Sequence, residues 1–94
     1  MKIQSLYKVP QGKLLKITIE TNTDKKNIEQ ISITGDFFAY PEESIQKLEK
    51  MLLQKPFDKK QLSAEITSFI TSNNVQFIGI DADSITEAIM RCVQ

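Results

Sequence analysis

Catalysis needs a nucleophile, a base or an electrophile held at a defined spacing, and few side chains in this sequence qualify. There is no histidine and a single cysteine, Cys92. Without histidine the chain lacks the commonest general base and the commonest metal ligand, and one cysteine excludes an internal disulfide. Cys92 falls on the apolar stripe of a predicted C-terminal helix, far from any helix N-terminus that would lower its pKa, and reads as a small buried hydrophobe. Asp81 and Asp83 could serve a hard cation, but they lack the glycine-turned ligand loop of a calcium site and suit the capping of the last helix. Glu42 and Glu43 are adjacent; on a helix their side chains diverge by about 100° and cannot converge on one substrate. Gly12-Lys13 is a fragment of a phosphate loop, yet Tyr7 stands where that loop needs its first glycine and Leu14 where it needs serine or threonine. Asp36-Phe37 matches two letters of a kinase metal-binding triplet and nothing else of a kinase. No catalytic or metal-binding residue is assigned.

What remains is chemistry of contact, and it concentrates in Ile-Thr-Gly-Asp-Phe-Phe-Ala-Tyr-Pro-Glu-Glu, residues 33–43. This stretch is predicted to run a strand into a helix through a corner. Gly35 permits a bulge or a close backbone approach, and Asp36 bonds the turn. In extended chain Phe37 and Phe38 point to opposite faces, so one ring can fill a core while the other faces away from it. Pro41 suits the first helical position, where its missing N–H has no partner, and Glu42 and Glu43 suit the positive end of the helix dipole.

The elements that must hold this corner are legible from periodicity. Leu15, Ile17 and Ile19 alternate with Lys16, Thr18 and Glu20, a half-buried strand. The polar stretch from Thr21 to Asn27 has turn composition, and Ile31 and Ile33 then alternate with Gln30, Ser32 and Thr34. Ile3 to Val9 is short and β-prone, and Pro10-Gln11-Gly12 supplies a turn into the Lys13 strand, which completes a three-stranded antiparallel meander. Three helices follow. Ile45, Leu48 and Leu52 form the stripe of the first, flanked by Met51 and Leu53. The second opens on Asp58 as N-cap, with Gln61 as capping-box partner and Phe57 and Leu62 as a hydrophobic staple; Leu62, Ile66, Phe69 and Ile70 are its apolar face, and Ser72-Asn73-Asn74 closes it. Val75 to Ile80 is a strand or an extended linker. The last helix is capped by Asp81 or by Ser84 with Glu87, and Ile85, Ala88, Ile89, Cys92 and Val93 make its apolar face. The order implies an α+β fold with helices on one face of the meander. Leu14, Ile28 and Phe38 have the wrong parity for that core, and uncovered apolar surface of this kind marks protein interfaces.

At 94 residues and 40% apolar content the chain is sized for one domain spanning residues 1–94. Lysine plus arginine equals aspartate plus glutamate at 12 each, so no long-range field favours nucleic acid or an anionic membrane. No apolar run is long enough to span a bilayer and no secretory h-region follows Met1, which points to the cytoplasm.

Tyr7-Lys8-Val9-Pro10-Gln11-Gly12-Lys13-Leu14-Leu15, followed by Ile31 to Phe38 with Pro41-Glu42-Glu43, and then by Phe77-Ile78-Gly79-Ile80 and Ala88-Ile89, resembles the accessory C-terminal domain of lipoate-protein ligases. The resemblance covers nearly the whole chain, and its specific marks are the Lys-Val-Pro-x-Gly-Lys turn and the Gly-Asp-Phe-Phe corner. Met1 lies six residues before Tyr7, as in the separately encoded small subunit of the archaeal-type ligase. The resemblance implies a fold like that of the iron-sulfur scaffold and SufE-like proteins. It further implies a helper for a two-step reaction: lipoate and ATP give lipoyl-AMP and pyrophosphate, and the lipoyl group passes to a lysine of an acceptor domain. ATP, Mg and lipoate would be held by a large catalytic subunit, with no cofactor on this chain. The candidates for contact with that subunit are Tyr7, Lys8, Pro10, Gly12, Lys13, Gly35, Asp36, Phe37, Phe38 and Tyr40. A competing reading is a free-standing interaction module of iron-sulfur assembly, which would bind a desulfurase or scaffold and ignore lipoate.

Overall fold

The computed structural model of the chain describes residues 1–22, 24 and 26–93. In chain order these form β1 (Lys2–Lys8), β2 (Leu14–Glu20), β3 (Gln30–Gly35), β4 (Phe38–Tyr40), α1 (Ser44–Leu52), α2 (Lys59–Ser72), β5 (Gln76–Ile78) and α3 (Ala82–Arg91). β1, β2 and β3 make the antiparallel meander, and β4 pairs with β5 in a separate two-stranded ribbon. The meander register sets Ile17 opposite Ser5 on one side and Ile33 on the other. Alternation then delivers Leu15, Ile17, Ile19, Ile31 and Ile33 to one face, all of them buried. α3 lies on β1 and β2, α1 lies on β3, and α2 packs against α3. Leu48 and Leu52 from α1, Leu62 and Ile66 from α2, and Ile85, Ala88 and Ile89 from α3 close the same core. Burial of each large aliphatic chain stabilises the fold by roughly 1.5–3 kcal/mol relative to exposure.

Helix starts follow the sequence in part. Asp58 caps α2 by accepting from the Gln61 N–H at 3.2 Å. The Gln61 side chain does not return the bond and donates to Glu65 at 3.4 Å, so the predicted box is a single cap. α3 has a true capping box, formed by Asp81 and Ser84 rather than by Glu87. The Ser84 N–H donates to the Asp81 carboxylate at 2.7 Å, and the Asp81 N–H donates to Ser84 Oγ at 2.9 Å. Asn73 is the C-cap of α2, within the predicted polar turn.

The expected strand-to-helix corner takes another form. β3 ends at Gly35, and Phe38–Tyr40 is committed to pairing with Gln76–Ile78, so the chain must turn before a helix can begin. The Tyr40-Pro41 peptide is cis, the Ser44 N–H donates to the Pro41 carbonyl at 3.0 Å, and α1 starts at Ser44. Pro41 is therefore not its first residue, Glu42 lies outside the helix, and Glu43 is an N-cap without a side-chain bond. Ile28, placed by parity on the uncovered face, is wholly buried because it lies outside β3. Its N–H donates to Lys55 O and its carbonyl accepts from Gln54 N–H, at 2.9 and 2.6 Å, which turns its side chain into the core. The predicted turn between β2 and β3 includes residues 23 and 25, which lie outside the described residues. Beside them Thr21 Oγ1 donates to the Asn27 carbonyl at 2.9 Å.

The free edge of β3 is shielded from within, since the Ile33 N–H donates to Glu49 Oε2 of α1 at 2.8 Å. At the end of the same strand Gly35 has φ +151°, and a Cβ there would stand 2.2 Å from the Leu14 carbonyl oxygen. Gly35→Ala should therefore lower stability by about 2 kcal/mol or more. A urea midpoint equal to that of the wild type would show that β2 and β3 do not approach this closely.

Candidate docking site

The turn between β1 and β2 is built on Pro10 and Gln11. The Gly12 N–H donates to Val9 O at 2.9 Å, and Gln11 takes φ +58° at the third position, as a type II turn requires. The Lys13 N–H then donates to the Gly79 carbonyl at 3.1 Å, just beyond β5. The Asp36 N–H donates to the Leu14 carbonyl, also at 3.1 Å, which brings in the segment between β3 and β4. Gly79 has φ +95°, and a Cβ there would lie 2.6 Å from Lys13 Cγ and 3.7 Å from Phe37 Cβ. A Cβ on Gly12 would in turn lie 2.7 Å from the Gly79 oxygen. The turn at residues 8–13 and the corner at residues 35–38 therefore meet at one point, and two glycines permit the approach.

From that junction the ribbon extends outward. Ala39 and Phe77 are opposite one another and half-buried, and Phe77 packs against the core. Alternation turns Phe38, Tyr40 and Ile78 the other way, with 63%, 51% and 48% of their surfaces exposed. Phe38 and Ile78 are direct cross-strand partners. Leu14, next to Lys13, and Leu6 on the outer face of the meander are exposed as well. Two-stranded ribbons are marginal alone and need an anchored face. Here that anchor is Phe77, with Phe37 half-buried beside it. Of the paired phenylalanines, Phe37 is thus the inward one and Phe38 the outward one.

The other sequence candidates separate by position. Tyr7 is half-buried, with the Arg91 guanidinium 4.7 Å above its ring. Tyr7 and Pro10 line a cleft of about 580 Å³ against the starts of α2 and α3. In that cleft Lys59 pairs with Glu87 at 3.5 Å, and Asp81 is engaged as a cap. Lys8 is exposed and donates to the Gly12 carbonyl at 2.7 Å, which braces the turn. Gly35 acts through its backbone, Asp36 is exposed, and Gly12 and Lys13 sit at the junction. Ile78 and Gly79 belong to the same region, although the sequence did not single them out as candidates. Their signal is the glycine that interrupts Phe77-Ile78-Gly79-Ile80, with period-two alternation turning Ile78 outward once Phe77 faces in. Among the described residues, no cluster of three or more histidine, cysteine, aspartate or glutamate side chains could hold a metal ion. No described helix is long and apolar enough to cross a membrane.

A meander covered by helices on one face, with an apolar ribbon projecting beside it, defines a small α+β domain. Residues 8–89 match the family described as bacterial lipoate protein ligase C-terminus, and the chain belongs to that family. It is 40% identical over 53 residues to lipoate-protein ligase A subunit 2 of Thermoplasma acidophilum. That alignment covers 56% of this chain and 53% of the relative, about half the length of each. A solved structure of an archaeal bi-partite lipoate protein ligase and its E2 lipoyl domain, also from Thermoplasma acidophilum, contains a chain similar to this one over 95% of its length and 94% of that chain, with 28% identity and a TM-score of 0.78. The meander with three helices is shared with that structure.

Away from the ribbon, two groups among the described residues depart from ordinary ionisation. Lys55 donates to Glu65 at 2.7 Å and holds its carboxyl below the usual range, against a smaller opposing effect of burial. A depressed folded value gives stability that is present above the unfolded value and is lost as pH falls through the folded one. Lys55→Met should accordingly flatten the acid limb of a stability–pH curve, and an unchanged limb would show the pair to be inert. Burial pushes the Cys92 thiol up, and the Ser5 hydroxyl only partly offsets this. Its S–H points to the Ala88 carbonyl at 3.7 Å. Thiol reagents at neutral pH should modify Cys92 at least about tenfold faster after denaturation than in the folded chain; equal rates would overturn its assignment as a core residue.

Proposed function

We propose that this chain is the non-catalytic small subunit of a two-component lipoate-protein ligase, working in the cytoplasm with a large catalytic subunit to activate lipoate to lipoyl-AMP at the expense of ATP. The observation that carries the reading is the exposed Phe38, Ile78 and Tyr40 surface, braced from behind at Gly79, on a chain of this family. Family membership and the subunit name of the Thermoplasma relative support assignment to a bipartite ligase. Cys92 is buried and the chain has no histidine, so its side chains are suited to assisting chemistry rather than performing it. ATP, Mg and lipoate belong in the large subunit, and acceptor lipoyl domains are reached through that complex.

The mechanism is a shift of population. Activation gathers charge on phosphates in a site that must exclude water. A small domain that binds only the closed arrangement of the catalytic subunit raises the fraction of molecules in it. The ribbon suits this task because its apolar side chains gain burial on docking while Phe77 keeps it from collapsing inward.

Phe38→Ala and Ile78→Ala should each weaken binding to the large subunit by about 2 kcal/mol, roughly thirtyfold in Kd. Both should reduce lipoyl-AMP formation at limiting small subunit. The decisive comparison incubates ATP and lipoate with each subunit alone and with both. Lipoyl-AMP formation that is as fast without this chain would refute the proposal, as would full association by both variants. Binding to a desulfurase or scaffold, with no effect on lipoate activation, would favour the iron-sulfur alternative.

A further inference from the structure

Lys13 is an exposed lysine whose stem is nevertheless confined. Its Cβ and Cγ lie across Gly79, in the space that a side chain at residue 79 would need, and its own N–H is fixed to the Gly79 carbonyl. A free surface lysine gives up rotamer entropy when it is held by a ligand; the bed at Gly79 restricts the first part of the stem beforehand. Lys8 stands at the other end of the same turn with its ammonium on the Gly12 carbonyl. Among the described residues neither lysine is in an ion pair, and Asp36 at the adjoining corner pairs with neither. Two positive charges therefore share one turn without a carboxylate to balance them.

Their position makes this imbalance consequential. Lys13 adjoins Gly79, which directly follows Ile78 of the apolar ribbon. If that ribbon is covered by a partner, the turn beside it loses water, and an ammonium without an anion becomes costly. A single carboxylate would neutralise one of the two charges, whereas a phosphate chain matches both. Lysine binds phosphate as a point charge, and charge grows on the pyrophosphate leaving group as an acyl-adenylate forms.

Resting on the small-subunit reading above, we propose that Lys13 is a phosphate-binding residue, delivered by the β1–β2 turn to the ATP phosphates held in the catalytic subunit, with Lys8 bracing the turn that presents it. The chain would thus complete the partner's nucleotide site as well as order it.

The test measures lipoyl-AMP formation against ATP concentration in the reconstituted two-subunit enzyme, with subunit affinity measured in parallel. For Lys13→Gln, kcat/KM for ATP should fall about tenfold or more, the usual scale of one lost charge-assisted contact, while Kd for the catalytic subunit changes less than about threefold. Lys13→Arg should retain most of the activity. Unchanged ATP kinetics in Lys13→Gln would overturn the assignment. It would equally be overturned if Lys13→Gln weakened subunit binding and saturating small subunit restored wild-type ATP kinetics, because the anion would then be a partner carboxylate. Absence of any stimulation by the wild-type chain would instead remove the small-subunit reading, and this inference with it.

Discussion

Residue 79 has no side chain, and three stretches distant in sequence depend on that. Its carbonyl accepts from Lys13, the Lys13 stem lies across it, and Phe37 closes from the other side. A Cβ at this position would meet Lys13 Cγ at 2.6 Å, and the positive φ is itself costly for any residue with a side chain. Through this one contact the first hairpin of the meander is tied to the ribbon built by β4 and β5. Gly12 and Gly35 relieve the same crowding at neighbouring points, against Gly79 O and Leu14 O respectively. The chain's three glycines thus all stand where a Cβ would meet a neighbour at under 3 Å, a backbone oxygen at Gly12 and Gly35 and the Lys13 stem at Gly79.

This constraint explains how a small domain can hold apolar side chains in water without burying them. Phe38 and Ile78 are partners across a ribbon of three residues per strand, too short to be stable alone. Their outward orientation follows from anchoring the other face, through Phe77 and Phe37, to the core beneath α1, α2 and α3. Hydrophobic burial therefore acts twice in the molecule. It closes the main core under the helices, and it fixes the frame from which a second apolar surface projects into solvent.

How far the sequence disclosed this depends on the range of the interactions. β2 and β3 were legible because burial imposes strict alternation over six or seven residues, as Leu15 to Ile19 and Ile31 to Ile33 show. The starts of α2 and α3 were legible because caps are local, although Asp58 closed only half a box and Ser84 took the role offered to Glu87. The contrast between Phe37 and Phe38 followed from pleating alone. The ribbon was not legible as a pair: three residues give too little alternation, and the strand that β4 needs lies beyond two helices. For the same reason Pro41 looked like a helix start when the chain was still leaving β4. Ile28 took its direction from hydrogen bonds with Gln54 and Lys55, a contact that the alternation of β3 could not reveal. Of the candidate site, the turn and the corner were each visible in sequence, while their meeting at Gly79 required the fold.

Under the proposed function, docking on a catalytic subunit runs through the Gly79 junction and the ribbon. Amide hydrogen exchange, measured on the chain alone and on the chain mixed with the large subunit, tests it most directly. New protection is expected at residues 12–14, 36–40 and 76–79, with α2 unchanged. Protection confined to α2 and the cleft at its start, with the ribbon exchanging as freely as before, would contradict it.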